Sequence, residues 1–336
     1  MSVRVAKPGA LSTLQDLGRF GYQRLGVVVG GAMDAWSHRA ANLLVGNRES
    51  EATLEITLIG PSLTFAETSL IAVCGADLSP RIGERPLPLR RPVLLKAGSQ
   101  LDFGRRQSGC RAYLAVRGGY HVAPVMDSKS TYLRASFGGF HGRALRKDDE
   151  IPTGADDAES YYPELGRMLR EGGDPFCAPT WAFGPSFTIA AETSQAIRVV
   201  AGQQWGALTD SAKAQVVSAD FRITPNSDRM GYRLAGPKLE LREPIEMISE
   251  GVTFGTIQLP PDGNPIVLMA DRQTTGGYPK IANVASVDLP LLAQMMPDQR
   301  VRFEMISLDE AQHLYLAREQ DMGLATRAIE QRRQAP

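Results

Sequence analysis

Short apolar segments separated by glycine and proline are the feature that most constrains the fold. The sequence has 33 Gly and 22 Pro among 336 residues, and few of its segments show the period of a long helix. Short strands joined by tight turns predict twisted sheets or barrels rather than alternating strands and helices. The strand candidates, grouped in two halves, are 53–60, 69–76, 92–98, 100–104 and 110–119, then 196–202, 221–225, 246–251, 256–260, 265–271 and 300–307.

Helical patterns are few, and three of them have clear ends. Asp34 is a good N-cap for a helix near 35–46, which a Gly-Asn pair closes. A second helix is predicted over 161–173, where two consecutive glycines end it. The segment from Ser307 begins with a capping box and predicts a C-terminal helix over 307–336.

The predicted fold class is mainly β with a few helices (α+β), arranged as two β-rich subdomains. Residues 1–150 form the first subdomain, and residues 185–306 form the second. Between them, 151–184 is predicted to be a linker with a helix, because it combines an acidic run with the Pro-containing string FCAPTWAFGP. Residues 307–336 follow as the C-terminal helix.

The charge balance and the cysteines narrow the class of protein. Lys plus Arg equals Asp plus Glu, at 37 each, which argues against a nucleic-acid partner because such a partner needs a basic face. No apolar run is long enough to span a bilayer, and the first residues lack a signal-peptide core. Cys74, Cys110 and Cys177 are odd in number and lack metal-type spacing. We therefore expect a cytoplasmic protein with reduced thiols and no membrane partner.

Two Asp-Arg turns carry the strongest chemical signal. Asp228 and Arg229 lie in SDRMGYRL, whereas Asp271 and Arg272 begin DRQTTGGYPK directly after the apolar run PIVLMA. An Arg side chain holds a carboxylate at two points, and glycines let backbone N–H groups approach a ligand. The turns predict a pocket for a small molecule with a carboxylate or an amide. The structural alternative at 228–229 is an ion pair on the surface.

The candidate site residues fall into two groups. The predicted catalytic residues, which supply a charge or a base, are Asp271, Arg272, Glu250 and Asp228. The predicted substrate-binding residues, which supply hydrogen-bond donors, are Arg229, Gln273, Thr274, Thr275, Gly276, Gly277, Lys280 and Gln258. The base stays open among the three carboxylates of the first group.

Motifs for other chemistry are missing from the sequence. There is no GxxxxGK[ST] string and no GxGxxG between a strand and a helix, so any nucleotide must bind without a P-loop or bind on a partner chain. The four histidines are scattered, which predicts no metal site, and His38 is expected to be a structural or a surface residue. Cys74 ends an apolar strand and is expected to be buried and unreactive. No Lys lies between two Met residues, so this chain is not expected to carry biotin.

Several strings, read in order, resemble the KipA-like family, whose members form the C subunit of 5-oxoprolinase. This family is also described as biotin-dependent carboxyltransferase or allophanate hydrolase subunit 2. The matching strings cover roughly residues 11–311 and include LSTLQDLGRFGYQRLGV, KSTYLRASFGGFHGRALRKDDEI and ISEGVTFGTIQLPPDGNPIVLMADRQTTGGYPKIA. Because the match is long, it is far more specific than a single motif.

The resemblance implies a fold, partners and an activity. The expected fold is two-part and β-rich, with a cyclophilin-like β-barrel in the second half. The expected function is that of the KipA-like subunit of an ATP-dependent 5-oxoprolinase, which works with a KipI-like subunit and a LamB/YcsF-like subunit. This complex opens the small-molecule substrate 5-oxoproline to L-glutamate. The chain is expected to be inactive alone, with ATP bound in the complex, at a subunit interface.

Two other functions are compatible with the same residues. One is the carboxyltransferase component of a urea carboxylase-type, biotin-dependent system, in which the Arg and Thr-Gly groups would hold carboxybiotin and a urea-like amide. The other is a non-enzymatic antagonist of a KipI-like kinase inhibitor, in which the Asp-Arg turns would be interface contacts. Sequence alone leaves open the substrate, the subunit that holds ATP and the stoichiometry.

Overall fold

Strands of the first half that are buried on both faces, with apolar residues on one face, build a two-sheet core. In the strand that runs from Ser108 to Val116, Ala112 and Leu114 belong to the apolar core, whereas Arg111 and Tyr113 point to the opposite face. The structure is a computed structural model, and it describes residues 1–154, 157–184 and 196–334. The predicted start of the second subdomain, 185–195, lies outside the described residues.

The chain divides into two units. The first consists of residues 1–18, 34–190 and 321–336, and the second of residues 19–33 and 191–320. Residues 19–33 thus group with the second unit, although the sequence-based ranges placed them in the first subdomain. A last helix, α6 (Leu308–Gln334), contributes residues to both units.

The described part of the first unit contains two six-stranded sheets that share one apolar core. The strand orders are β11-β1-β4-β9-β6-β7 and β12-β8-β5-β10-β3-β2. The strands are β1 (Ser2–Lys7), β2 (Leu11–Gln15), β3 (Thr53–Thr57), β4 (Ser62–Phe65), β5 (Ser69–Asp77), β6 (Arg81–Ile82), β7 (Arg85–Pro86), β8 (Val93–Leu95), β9 (Gln100–Asp102), β10 (Ser108–Val116), β11 (Glu150–Pro152) and β12 (Phe176–Cys177). The helices are α1 (Ala35–Leu44), α2 (Ala158–Tyr161) and α3 (Pro163–Glu171).

The described part of the second unit contains an eight-stranded sheet and a two-stranded ribbon. The sheet order is β21-β14-β15-β18-β17-β20-β13-β22, and β16 pairs with β19 to form the ribbon. The strands are β13 (Ile197–Ala201), β14 (Phe221–Ile223), β15 (Gly231–Ala235), β16 (Glu250–Gly251), β17 (Thr256–Gln258), β18 (Ile266–Leu268), β19 (Thr275–Gly276), β20 (Lys280–Val284), β21 (Arg300–Val301) and β22 (Phe303–Met305). The helices are α4 (Asp210–Ser218) and α5 (Leu289–Ala293).

The eight-stranded sheet curls into a nearly closed barrel. Its two edge strands, β21 and β22, are joined through Arg302 alone, so the opposite edges of the sheet must come together. The barrel predicted for the second half is confirmed, and so is the mainly β class. Among residues 1–154, 157–184 and 196–334, no helix has both the length and the apolar character that crossing a bilayer requires.

Local sequence explains where several elements begin and end. Asp34 caps α1 as predicted, because its carboxylate accepts hydrogen bonds from the Ser37 N–H at 2.9 Å and the Ser37 hydroxyl at 2.7 Å. The helix predicted over 161–173 is found as α3, which begins at Pro163 and ends at Glu171 before the two glycines, whereas the short helix α2 precedes it. The strand predicted over 246–251 is limited to β16 at its end.

The histidine on α1 is buried, which favours the structural role over the surface position that the sequence also allowed. A ring nitrogen of His38 lies 2.8 Å from the Thr53 hydroxyl, and the side chain is fully buried. Burial lowers the pKa of His38 to about 4, and the nearby carboxylates of Asp16 and Glu55 oppose that shift only partly. Cys74 is also buried, which raises the pKa of its thiol and keeps it unreactive.

His38 should make the first unit less stable as the pH falls below about 6.5. An unfolded chain binds a proton at His38 near pH 6.5, whereas the folded chain binds it only near pH 4, so acid favours the unfolded state. Between pH 7 and pH 5 the expected loss is about 2 kcal/mol. Urea denaturation followed by circular dichroism would measure it in wild type and in His38→Gln. Equal losses in the two proteins would contradict the assignment.

Candidate functional site

The two predicted Asp-Arg turns come together in the second unit through a buried ion pair. Arg229 Nε lies 2.9 Å from Asp271 Oδ2, and Arg229 Nη2 lies 3.0 Å from Asp271 Oδ1. Both side chains are 7% exposed. Arg229 Nη2 also donates to the Gly31 carbonyl at 2.6 Å. The carboxylate of one turn is therefore held in a two-point grip by the arginine of the other.

Backbone pairing explains why these two turns meet. Arg229 closely precedes β15 and Asp271 closely follows β18, and β15 and β18 are antiparallel neighbours in the barrel. Outside the strands, the Asp271 N–H donates to the Arg229 carbonyl at 2.8 Å, and the Met269 N–H donates to the Met230 carbonyl at 2.9 Å. The ion pair thus extends an existing strand pairing into the loops.

Arg272 differs from its neighbour because no carboxylate neutralises it. Its Nε lies 3.5 Å from the Val252 carbonyl, and its Nη1 lies 3.5 Å from the Met269 and Ala270 carbonyls, which is the outer limit of a hydrogen bond. Within 1–154, 157–184 and 196–334, no carboxylate lies within salt-bridge distance of this guanidinium. Burial lowers the pKa of Arg272 to about 10, opposed by Asp271, so the group stays charged at neutral pH.

The ribbon of β16 and β19 connects Arg272 to a second cation. Glu250 pairs with Gly276 across the ribbon, and the Val252 N–H donates to the Thr274 carbonyl at 3.1 Å. Glu250 forms an ion pair with Lys280, whose side chain is only 10% exposed, whereas that of Glu250 is 49% exposed. Val252, directly after β16, therefore contacts Arg272 through its carbonyl, and Glu250 of β16 contacts Lys280 through its carboxylate.

Gln258 lies beside Lys280 on the barrel. The Cα atoms of the two residues are partners in the pairing of β17 with β20, so their side chains share one face of the sheet. Gln258 is 1% exposed. Its Nε2 makes no hydrogen bond with any residue in the described part of the chain.

The remaining predicted residues lie along the same loops. Asp228 closes its own turn, since its Oδ1 accepts from the Met230 N–H at 2.8 Å and the Gly231 N–H at 3.3 Å. Gln273 and Thr274 are half-buried. Among the small residues of the ribbon and the segment after it, Gly276 is buried, whereas Thr275 and Gly277 are exposed.

Sequence analysis missed two contributors to this region. Gln204 accepts a hydrogen bond from the Lys280 N–H at 2.9 Å through its side-chain oxygen, and its own N–H donates to the Lys280 carbonyl at 3.0 Å. Gly31 accepts from Arg229 through its carbonyl. Backbone carbonyls have no sequence signature, and a glutamine in a turn gives no chemical signal of its own.

Cavities in the described part of the first unit are lined by other residues. One of about 270 Å³ lies between the segment 181–184 and α6, where Phe183 and Ile329 make it apolar and Arg332 adds a charge. Another, of about 380 Å³, lies beside α3 and β12. No group of three or more His, Cys, Asp or Glu side chains that could hold a metal ion occurs in the described residues of either unit.

Comparison with known proteins identifies the class to which this two-unit, mainly β chain belongs. Residues 25–305 match the carboxyltransferase domain, subdomain A and B, and the chain is a member of this family. It is 37% identical to the C subunit of 5-oxoprolinase from Haemophilus influenzae, over 90% of this chain and 91% of that protein. It is 34% identical to the corresponding subunit from Escherichia coli, over 92% of this chain and 93% of that protein. The resemblance found in the sequence is confirmed.

A solved structure shows the same fold. The urea carboxylase of Kluyveromyces lactis is similar with a TM-score of 0.83 and 28% identity, over 96% of this chain. This chain spans only 29% of that larger protein. The carboxyltransferase fold is therefore found both in a chain of this length and as part of a long multidomain protein.

Proposed function

We propose that this chain is the KipA-like subunit of an ATP-dependent 5-oxoprolinase. In this proposal it works with a KipI-like subunit and a LamB/YcsF-like subunit, is inactive alone and acts in the cytoplasm. The two relatives named as 5-oxoprolinase subunits support it, because the chain corresponds to nearly their full length. The substrate would be 5-oxoproline, a small lactam with one carboxylate, and the product would be L-glutamate.

The observation that carries the proposal is the state of Arg272. This partly buried guanidinium has carbonyl contacts at 3.5 Å and lies over the Phe254 ring, 5.9 Å from its centroid, so it has lost part of its water without gaining a carboxylate. A ligand carboxylate would restore the missing charge partner and form two parallel hydrogen bonds. Arg272 is therefore assigned to the carboxylate of 5-oxoproline, and the Arg229–Asp271 pair is assigned to holding its loop.

The other residues have roles that follow from their exposure and chemistry. Thr274, Thr275 and the amides of Gly276 and Gly277 supply donors beside the ring, and Gln273 extends the same loop. The exposed carboxylates are Glu250 and, in its turn, Asp228, so these are the candidates for activating water. Asp271 is already held by Arg229, which makes it less suited to move a proton.

A lactam needs activation before water can open it. Transfer of the γ-phosphoryl group of ATP to the lactam oxygen makes the ring carbon more electrophilic and releases ADP. Water then adds to that carbon, the C–N bond breaks, and the ring nitrogen takes a proton. A second water hydrolyses the resulting acyl phosphate to the carboxylate and phosphate. Since the sequence has no P-loop, we assign ATP to the complex, at a subunit interface.

A carboxyltransferase function is the second candidate, and the observation that favours it is the structural similarity to urea carboxylase. In that case Arg272, Thr274 and Thr275 would hold carboxybiotin and a urea-like amide. The biotin would be attached to another chain or domain, since this chain has no Met-Lys-Met string.

The two candidates predict different requirements for turnover. We expect the chain, co-expressed with KipI-like and LamB/YcsF-like partners, to release glutamate from 5-oxoproline only when ATP is present. Urea should give no ATP hydrolysis in the same preparation, and added biotin carboxylase and bicarbonate should change neither result. Glutamate and ADP would be measured side by side for both substrates. Urea-dependent turnover that requires bicarbonate and biotin would contradict the 5-oxoprolinase proposal and support the carboxyltransferase function.

A further inference from the structure

We propose that Gln258 and Lys280 form a recognition site for the carbonyl oxygen of a small amide or lactam, with Gln204 as the positioning residue. This inference rests on the proposed function for the identity of the ligand. Gln258 and Lys280 are among the substrate-binding residues predicted from the sequence, whereas Gln204 is a contributor that only the structure shows. They are brought together by two strands and a turn of the barrel.

The side-chain amide of Gln258 is almost completely buried. Native proteins seldom bury an amide nitrogen without an acceptor, because the group loses its hydrogen bonds to water. The Nε2 of Gln258 is in that situation within the described residues. It lies against the ribbon, where a side-chain carbon at Gly276 would be 2.3 Å away. Glycine at 276 therefore allows the ribbon to lie over this amide.

The Lys280 ammonium supplies a positive charge beside the Gln258 amide. Directly opposite residues of antiparallel strands have Cβ atoms about 4.5–5.5 Å apart, so the Lys280 stem begins next to the Gln258 side chain. The Lys280 ammonium is nearly buried and is paired with Glu250, which is half exposed. An oxygen of Glu250 thus occupies the place that a ligand oxygen would take. One carbonyl oxygen accepts from both an amide and an ammonium when Glu250 moves towards solvent.

The pairing of β17 with β20 has an irregular register at Gln258. Ile257 pairs with Ala282 but Gln258 pairs with Lys280, so the two pairs enclose one extra residue of β20. Such bulges turn side chains out of the regular alternation and are frequent beside functional sites. The bulge therefore sets the direction of the Lys280 side chain.

Gln204 holds the bulge in place. It bonds both backbone groups of Lys280, with its side-chain oxygen on the N–H and its own N–H on the carbonyl. Its neighbour Gly202 also lies close to this strand, because a side-chain carbon there would be 2.3 Å from the Lys280 carbonyl oxygen. Gln204 acts through Lys280 without touching the ligand, whereas the adjacent Gln203 is exposed and serves as a matched control.

The test separates the carbonyl from the carboxylate with two probes. 2-Pyrrolidinone has the lactam carbonyl without a carboxylate, and cyclopentanecarboxylate has the carboxylate without the lactam carbonyl. Binding of each probe to the full chain would be measured by NMR titration, without ATP. Gln258→Leu and Lys280→Met should weaken 2-pyrrolidinone at least about tenfold and change cyclopentanecarboxylate less than about twofold. Arg272→Ala should have the opposite selectivity.

Gln204 is tested by rescue in the same titrations. Gln204→Ala should weaken 2-pyrrolidinone selectively, Gln204→Glu should restore binding because it keeps an oxygen acceptor for the Lys280 N–H, and Gln203→Ala should have no effect. A wild-type chain that does not bind 2-pyrrolidinone, or Gln258 and Lys280 variants that bind both probes equally weakly, would overturn the inference. Turnover of 5-oxoproline by the complex tests the proposed function independently, so the two failures are distinguishable.

Discussion

Replacing Arg272 by Ala is expected to lower kcat/KM for 5-oxoproline by about a hundred- to a thousand-fold in the reconstituted complex. A buried charge pair that loses one partner costs several kcal/mol, and each 1.4 kcal/mol is a factor of ten. In wild type, the substrate carboxylate would meet a partly desolvated guanidinium whose contacts are weak carbonyl hydrogen bonds and the Phe254 ring. In the variant, this carboxylate would enter the same site without a charge partner. ATP-coupled release of glutamate is the measurement.

Two further variants separate charge and shape from general damage. Arg272→Lys keeps the positive charge but loses the two-point grip, so its kcat/KM should lie between those of wild type and Arg272→Ala. Arg233→Ala removes an exposed arginine from the neighbouring strand β15 and should leave activity near that of wild type. Circular dichroism of each variant would show whether the fold is kept. A near-normal rate in the folded Arg272→Ala variant would show that Arg272 does not bind the substrate carboxylate.

The sequence predicted elements better than it predicted pairings. Short strands and their turns follow from local patterning, and so does the capped helix after Asp34. The helix expected over 161–173 is present as α3, and only its start differs, because Pro163 is the first residue of the helix. The barrel depends on β21 pairing with β14 and β22 pairing with β13, which lie far away in the sequence, and no short segment encodes these pairings.

The candidate site shows the same limit more sharply. The sequence places an Asp beside an Arg twice and predicts a pocket from the two turns, with an ion pair within the turn as the alternative at 228–229. The structure instead joins Arg229 to Asp271, which lies 42 residues further along the chain. The pairing of Gln258 with Lys280 depends on a bulge, and a shift of one residue would move either side chain to the other face. The residue types in the sequence indicated which side chains could bind a ligand. Which of these side chains lie next to each other depends on the strand register, which the sequence does not show.

The ion pair between Arg229 and Asp271 should have the largest effect on stability. Removing one partner leaves a charge buried without its counterpart, so Arg229→Met and Asp271→Leu should each lower the free energy of unfolding by about 3–5 kcal/mol. The double variant should recover much of this loss, because a desolvated pair gains little net energy over apolar groups of similar size. Urea denaturation of the four proteins gives the coupling energy between the two residues.

An exposed pair in the same unit supplies the control. Arg222 and Asp298 form an ion pair with side chains 55% and 66% exposed, so Arg222→Ala should change stability by no more than about 1 kcal/mol. Single variants of the buried pair that are as mild as Arg222→Ala would show that this pair does not hold the loops together. If the double variant is stable but inactive, the Arg229–Asp271 pair acts by placing Arg272, since the barrel would then be intact without it. Measuring both the free energy of unfolding and the activity thus shows whether the ion pair is needed to fold the loop that carries Arg272 or to orient that loop towards the substrate.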